Sequence, residues 1–163
     1  MYNKFKGAEM ATAAKRILVL GTDGGLQSNY ALEYMTKHVY REGDYVYVVY
    51  CPKLRMQQRG CSDLANIDKE KASKIMTEEK NMLDTEVRLL QDNLDELKIK
   101  GEIIIGNPDK RPAEALLETA KAKKAVMIII GSRGVGKVQR EITGSTSDDI
   151  ILNAHVPVLV CKA

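Results

Sequence analysis

The stretch IIIGSRGVGKVQREITGSTS, Ile128 to Ser147, decides how this chain is read. It opens as a run of isoleucines, the mark of a strand buried on both faces, and breaks at Gly131 into a glycine-rich loop. Two spacings overlap in that loop. Gly131-x4-Gly136-Lys137 is seven residues of a Walker A phosphate loop. Such a loop needs Ser or Thr after the lysine, because that hydroxyl binds magnesium, and here Val138 follows. Its partner acid is also missing: one apolar run follows, ending in VCKA, while Asp148 and Asp149 fall on a helical pattern. The other spacing, Gly131-x2-Gly134-x9-Gly144-Ser145, fits the stretch better.

Working outward, five short apolar runs stand out: RILVLG (16–21), YVYVVYC (45–51), EIIIG (102–106), AVMIIIG (125–131) and VPVLVC (156–161). All are strand-sized and rich in Val and Ile. Helical patterns lie between them. The first is expected to start at Ser28 as N-cap, with Leu32, Met35 and Val39 on one face, and to stop at Gly43. The second spans 68–100, its seam Leu83, Val87, Leu90, Leu94 and Leu97 too short for a coiled coil and suited to packing on a sheet. The third carries Pro112 in its first turn and the basic end KAKK, and a fourth runs from Thr146 to Asn153. This alternation predicts an α/β fold: one doubly wound, Rossmann-like parallel sheet of order 3-2-1-4-5 with helices on both faces. Ligands in such sheets sit beyond the strands' carboxyl ends, where the order reverses. The loops facing that point are GTDGG (21–25) and GSRGVGK (131–137), both glycine-rich.

Residues 15–163 are expected to form one domain, preceded by a flexible leader, 1–14, without the apolar core of a secretory signal. Hydrophobic residues make up 44% and charged residues 29%, and the net charge is +3. With one Phe and no Trp, neither charge nor stacking surface points to nucleic acid, and no run is long enough to span a bilayer. Cys51, Cys61 and Cys161 show no metal spacing, and their odd number argues against a disulfide framework. A reducing, cytoplasmic setting is the expectation.

The second spacing, Gly131-x2-Gly134-x9-Gly144-Ser145, resembles the nucleotide-binding signature of the ATP-binding branch of the universal stress protein family. RILVLGTDGGLQSNYALEYM is similar to that family's first strand, acidic turn and first helix. GNPDKRPAEALLETAKAKKAVMIIIGSRG and GSTSDDIILNAHVPVLVCKA resemble its later elements. The resemblance implies an ATP, ADP or AMP ligand, with any Mg2+ held by the phosphates. It places Asp23 at the ribose or base, Gly21 and Thr22 as main chain beside adenine, and Cys51 as a small base contact. Ile130, at the end of the fourth strand, joins them. Gly131, Arg133, Gly134, Gly144, Ser145 and Thr146 would cradle phosphate. It also implies a homodimer through strand 156–161. The chain departs from the family at Gly25, where Ser is usual, and that loss is expected to shift capping to Ser28.

The residues support the cradle independently. Glycine lets main-chain N–H groups approach an anion, and the first N–H groups of a helix starting near Ser145 are unpaired and favour negative charge. Arg133, Lys137 and Arg140 outweigh Glu141 in the intervening loop. No catalytic arrangement of residues emerges; His38 and His155 have no carboxylate or thiol partner nearby in sequence. The expected function is therefore regulatory binding, with at most a slow ATPase. Two other readings stand beside it. One is an adenylating enzyme, on a faint likeness of Asp23–Ser28 to a pyrophosphate loop; the other is a nucleotide-free dimeric interaction protein.

Overall fold

The computed structural model describes residues 15–52, 69–132 and 145–162. The leader 1–14, the linker 53–68 and the loop 133–144 lie outside them. Among the described residues, strands and helices alternate: β1 (Ile17–Thr22), α1 (Leu26–His38), β2 (Tyr45–Tyr50), α2 (Lys69–Glu96), β3 (Gly101–Ile105), α3 (Pro112–Ala122), β4 (Met127–Ser132), α4 (Ser145–Asn153) and β5 (Val158–Lys162). All strand pairs are parallel, in the order β3-β2-β1-β4-β5. The expected topology holds.

The alternation of side chains along each strand divides the core in two. Leu18, Leu20, Val46, Val48 and Ile129 face Ala31, Leu32 and Met35 of α1 and Leu94 of α2. Val19, Val49, Ile128 and Ile130 face Ala113, Leu116 and Ala120 of α3 and Ile150 of α4. Helices therefore cover both faces, which is why the strands read as continuous hydrophobic runs.

Local signals mostly land where the sequence puts them. Pro112 opens α3, and Glu114 reaches back to accept the Arg111 N–H at 3.1 Å. Leu90 and Leu94 of the α2 seam are buried, Leu83 and Val87 are half-buried and Leu97 is exposed, as expected for a helix lying on a sheet. Both boundaries of α1 differ. α1 starts at Leu26 with Gly25 as N-cap, so Ser28 is not the cap but sits buried in the first turn. Its hydroxyl is 2.8 Å from the Gly25 carbonyl oxygen. The helix also ends at His38, with Val39 as C-cap, not at Gly43; Gly43 has a φ of +95° within the turn that follows.

Candidate functional site

The site lies at the carboxyl ends of β1, β2 and β4. Register fixes its floor: Gly21 pairs with Ile130, Thr22 pairs with Tyr50, and the Cys51 N–H donates to the Thr22 carbonyl at 2.9 Å. Six of the expected site residues, Gly21, Thr22, Asp23, Cys51, Ile130 and Gly131, thus sit on three adjacent strand ends or on the residue just beyond. Ser145 and Thr146 open α4, whose N-terminus follows β4. Arg133, Gly134 and Gly144 lie outside the described residues.

The turn after β1 is a closed hydrogen-bonded loop. The Gly24 N–H donates to Thr22 Oγ1 at 3.1 Å, and Thr22 Oγ1 donates to Ser28 Oγ at 3.0 Å. Asp23 Oδ1 accepts from the Gly25 N–H at 3.0 Å and lies 3.3 Å from Ser28 Oγ. Gly24, at φ +75°, takes the left-handed conformation that lets the chain double back into α1. Thr22 is buried, so its hydroxyl is committed to this loop, while Asp23 is exposed beyond the sheet.

Glycines here serve packing as well as access. Gly131 does not use a positive φ, which among the described glycines belongs to Gly24 and Gly43. A methyl group on Gly131 would sit 2.2 Å from the Gln27 carbonyl oxygen and 2.9 Å from the Ser28 nitrogen. The missing side chain therefore lets the first turn of α1 lie directly on β4. On the opposite face, a methyl on Gly21 would meet Leu116 Cδ1 at 2.8 Å.

Cys51 is half-buried against Gly106, and its thiol is pushed up to about 11, first by burial and then by the Asp23 charge. It is neutral near pH 7, which suits an apolar contact and not a nucleophile. Tyr50, buried beside it, is also raised, by burial first and then by the charges of Glu86 and Asp23. Neither Tyr50 nor Glu86 figured among the expected site residues. One signal was present for Glu86: it stands three residues after Leu83 and four before Leu90, an acid on the apolar stripe of α2.

Among the described residues, no group of three or more His, Cys, Asp or Glu could hold a metal. No helix among them is long and apolar enough to cross a membrane. A shallow groove lined by Lys15, Tyr45, Asp95, Lys98 and Lys100 exists, but at the amino end of the sheet, away from the reversal point. The carboxyl-end crevice is where topology and residue chemistry coincide.

The sequence model of the universal stress protein family matches residues 14–162. The chain belongs to the universal stress protein family. A universal stress protein of Methanocaldococcus jannaschii is 39% identical over 66 residues, covering 40% of this chain and 36% of that protein. The matched stretch spans well under half the length of the curated relatives it resembles. Solved structures match over nearly the whole chain. A universal stress protein from Archaeoglobus fulgidus in complex with dAMP is 21% identical, with a TM-score of 0.53, covering 91% of this chain and 98% of that one. A universal stress protein family protein from Arabidopsis thaliana with AMP bound is 14% identical, with a TM-score of 0.60, covering 90% and 91%. At these identities the likeness carries the fold. For this family member, the positions in the crevice rest on its own residues.

Proposed function

We propose that this universal stress protein binds an adenine nucleotide, ATP, ADP or AMP, at the carboxyl ends of β1 and β4, and that occupancy acts as a regulatory switch. The observation that carries the reading is the pairing of Gly21 with Ile130, which sets the Thr22–Asp23 turn beside Gly131 at the sheet's reversal point. The N-terminus of α4, opened by Ser145 and Thr146, would turn its first amides and its positive dipole end toward phosphate. Gly131, Arg133, Gly134 and Gly144 complete the cradle. Asp23 takes the ribose or base, with Gly21 and Thr22 as main-chain neighbours and Ile130 and Cys51 as apolar ones. Relatives of the same fold crystallised with AMP and with dAMP support the ligand class. Any Mg2+ would ride on the phosphates.

The switch works through surface presented to partners in the cytoplasm, without catalysis beyond a slow ATPase. A homodimer through strand 156–161 fits the exposure pattern. β5 forms an edge of the sheet, Val158, Leu159 and Val160 are half-buried, and neighbouring α4 leaves Ile151 and Leu152 exposed.

The nucleotide reading is tested by thermal denaturation with and without ATP, together with mass spectrometry of ligand released gently from purified protein. ATP should raise the Tm of the wild type. Gly134→Glu, which puts a carboxylate into the cradle, should abolish that rise, and an equal rise in the variant refutes this cradle.

A further inference from the structure

The turn after β1 is approached from a second element. α2 crosses above it, and a methyl group on Gly24 would lie 3.6 Å from Glu86 Oε2 and 3.9 Å from the Tyr50 ring. Glu86 of α2 thus stands over the turn that carries Asp23, and the charges of both act on the buried Tyr50 ring. Both charges reach Tyr50, whose hydroxyl they help to keep protonated. An acid on the apolar stripe of α2 has no packing role that a leucine would not fill better, so its direction toward the turn calls for a reason.

Strand order supplies the ligand's direction. If phosphates lie over β4 and the α4 N-terminus, the nucleoside extends across β1 toward β2, and its sugar passes over Asp23 and Gly24. A ribose hydroxyl there can donate to a carboxylate. A ribose phosphate would bring a dianion to within several ångströms of two negative charges.

We propose that Glu86 is a specificity-determining residue: with Asp23 it forms a charge filter that admits nucleotides with free ribose hydroxyls and excludes those phosphorylated on the ribose. This rests on the nucleotide reading above. At about 7 Å and an effective dielectric near that of water, a dianion facing one carboxylate is disfavoured roughly three- to fivefold after screening.

The test is titration calorimetry on the full chain at low salt, with AMP and adenosine 3′,5′-bisphosphate as probes, for wild type, Glu86→Gln and Glu86→Lys. Wild type should prefer AMP by at least about tenfold, from two like charges acting together. Glu86→Gln should narrow that preference about threefold and Glu86→Lys about tenfold, through tighter binding of the bisphosphate. Raising the salt should compress the differences. An AMP preference unchanged in both variants, or lost through weaker AMP binding alone, overturns the filter while leaving nucleotide binding intact. A wild type that binds neither probe refutes the nucleotide reading itself, and the filter falls with it.

Discussion

Gly131→Ala separates the two roles that one glycine can have at a strand end. If Gly131 served only to let an anion approach, a methyl group would cost binding and spare stability. The structure gives the opposite emphasis. The added carbon would lie 2.2 Å from the Gln27 carbonyl oxygen, 2.5 Å from its carbon and 2.9 Å from the Ser28 nitrogen, all backbone atoms of α1. Relief requires the helix to move by about 1 Å, and α1 packs Ala31, Leu32 and Met35 into the core. Overpacking typically costs 1–3 kcal/mol. Backbone atoms cannot rotate aside as a side chain can, so the expected loss is at the upper end, about 3 kcal/mol. Gly21→Ala is the internal control, because its methyl would meet the terminal carbons of Leu116, which can rotate, and about 1 kcal/mol is expected. Urea unfolding followed by circular dichroism reads both. With an m-value of about 2 kcal/mol/M, the Gly131→Ala midpoint should fall by about 1.5 M and that of Gly21→Ala by about 0.5 M. Equal shifts, or a smaller one for Gly131→Ala, would refute the packing argument.

Two further outcomes follow from the amino end and the edge of the sheet. Asp44 is 3% exposed and accepts from Arg16 Nε at 2.8 Å, from Arg16 Nη2 and from the Arg41 N–H at 2.9 Å. Burial alone would raise its pKa, but Arg16 and Arg41 together hold it below the usual carboxylate value. Its stabilising contribution is therefore complete above the unfolded value of about 3.9 and disappears as pH falls through the lower folded value. Asp44→Asn should cost about 2 kcal/mol at pH 7, discounted because Arg16 keeps solvent contact. The gap from wild type should shrink below about pH 4 in urea titrations, and a gap independent of pH would disprove the linkage. Removing residues 156–163 should yield monomers or aggregates in sedimentation, and an intact dimer would take β5 out of the interface.

The strand order and the two-sided core were legible because each strand is covered on both faces, so burial writes itself as consecutive Val and Ile residues in YVYVVY and MIIIGS. Pro112 marked the start of α3 for a similarly local reason: its fixed φ and missing N–H suit that one position. Ser28 misled because N-cap preference describes a side chain bonding to its own helix. Here the hydroxyl accepts from Thr22, six residues earlier, and donates to the Gly25 carbonyl, closing the β1–α1 turn, and Gly25 caps without a side chain. Gly131 was legible as a special position, but the neighbour that requires it, Gln27, is more than a hundred residues away in sequence. Glu86 was hidden for the same reason. Its helical stripe could be read, yet only the fold brings that stripe over Gly24.

These long-range contacts bear on how a ligand would be oriented. The floor of the crevice is tied by main-chain bonds, Cys51 N–H to the Thr22 carbonyl and Gly106 N–H to the Tyr50 carbonyl, and by α1 seated on Gly131. Asp23 and Glu86 place negative charge on the β1–β2 side, while the proposed phosphate end is the N-terminus of α4, which carries Asp148 in its first turn. A nucleotide entering backwards would set its phosphates against two carboxylates and leave the helix end facing a neutral base. Under the proposed reading that charge would set the direction of binding, so neutralising Glu86 should alter selectivity at the sugar and leave the phosphate end unaffected.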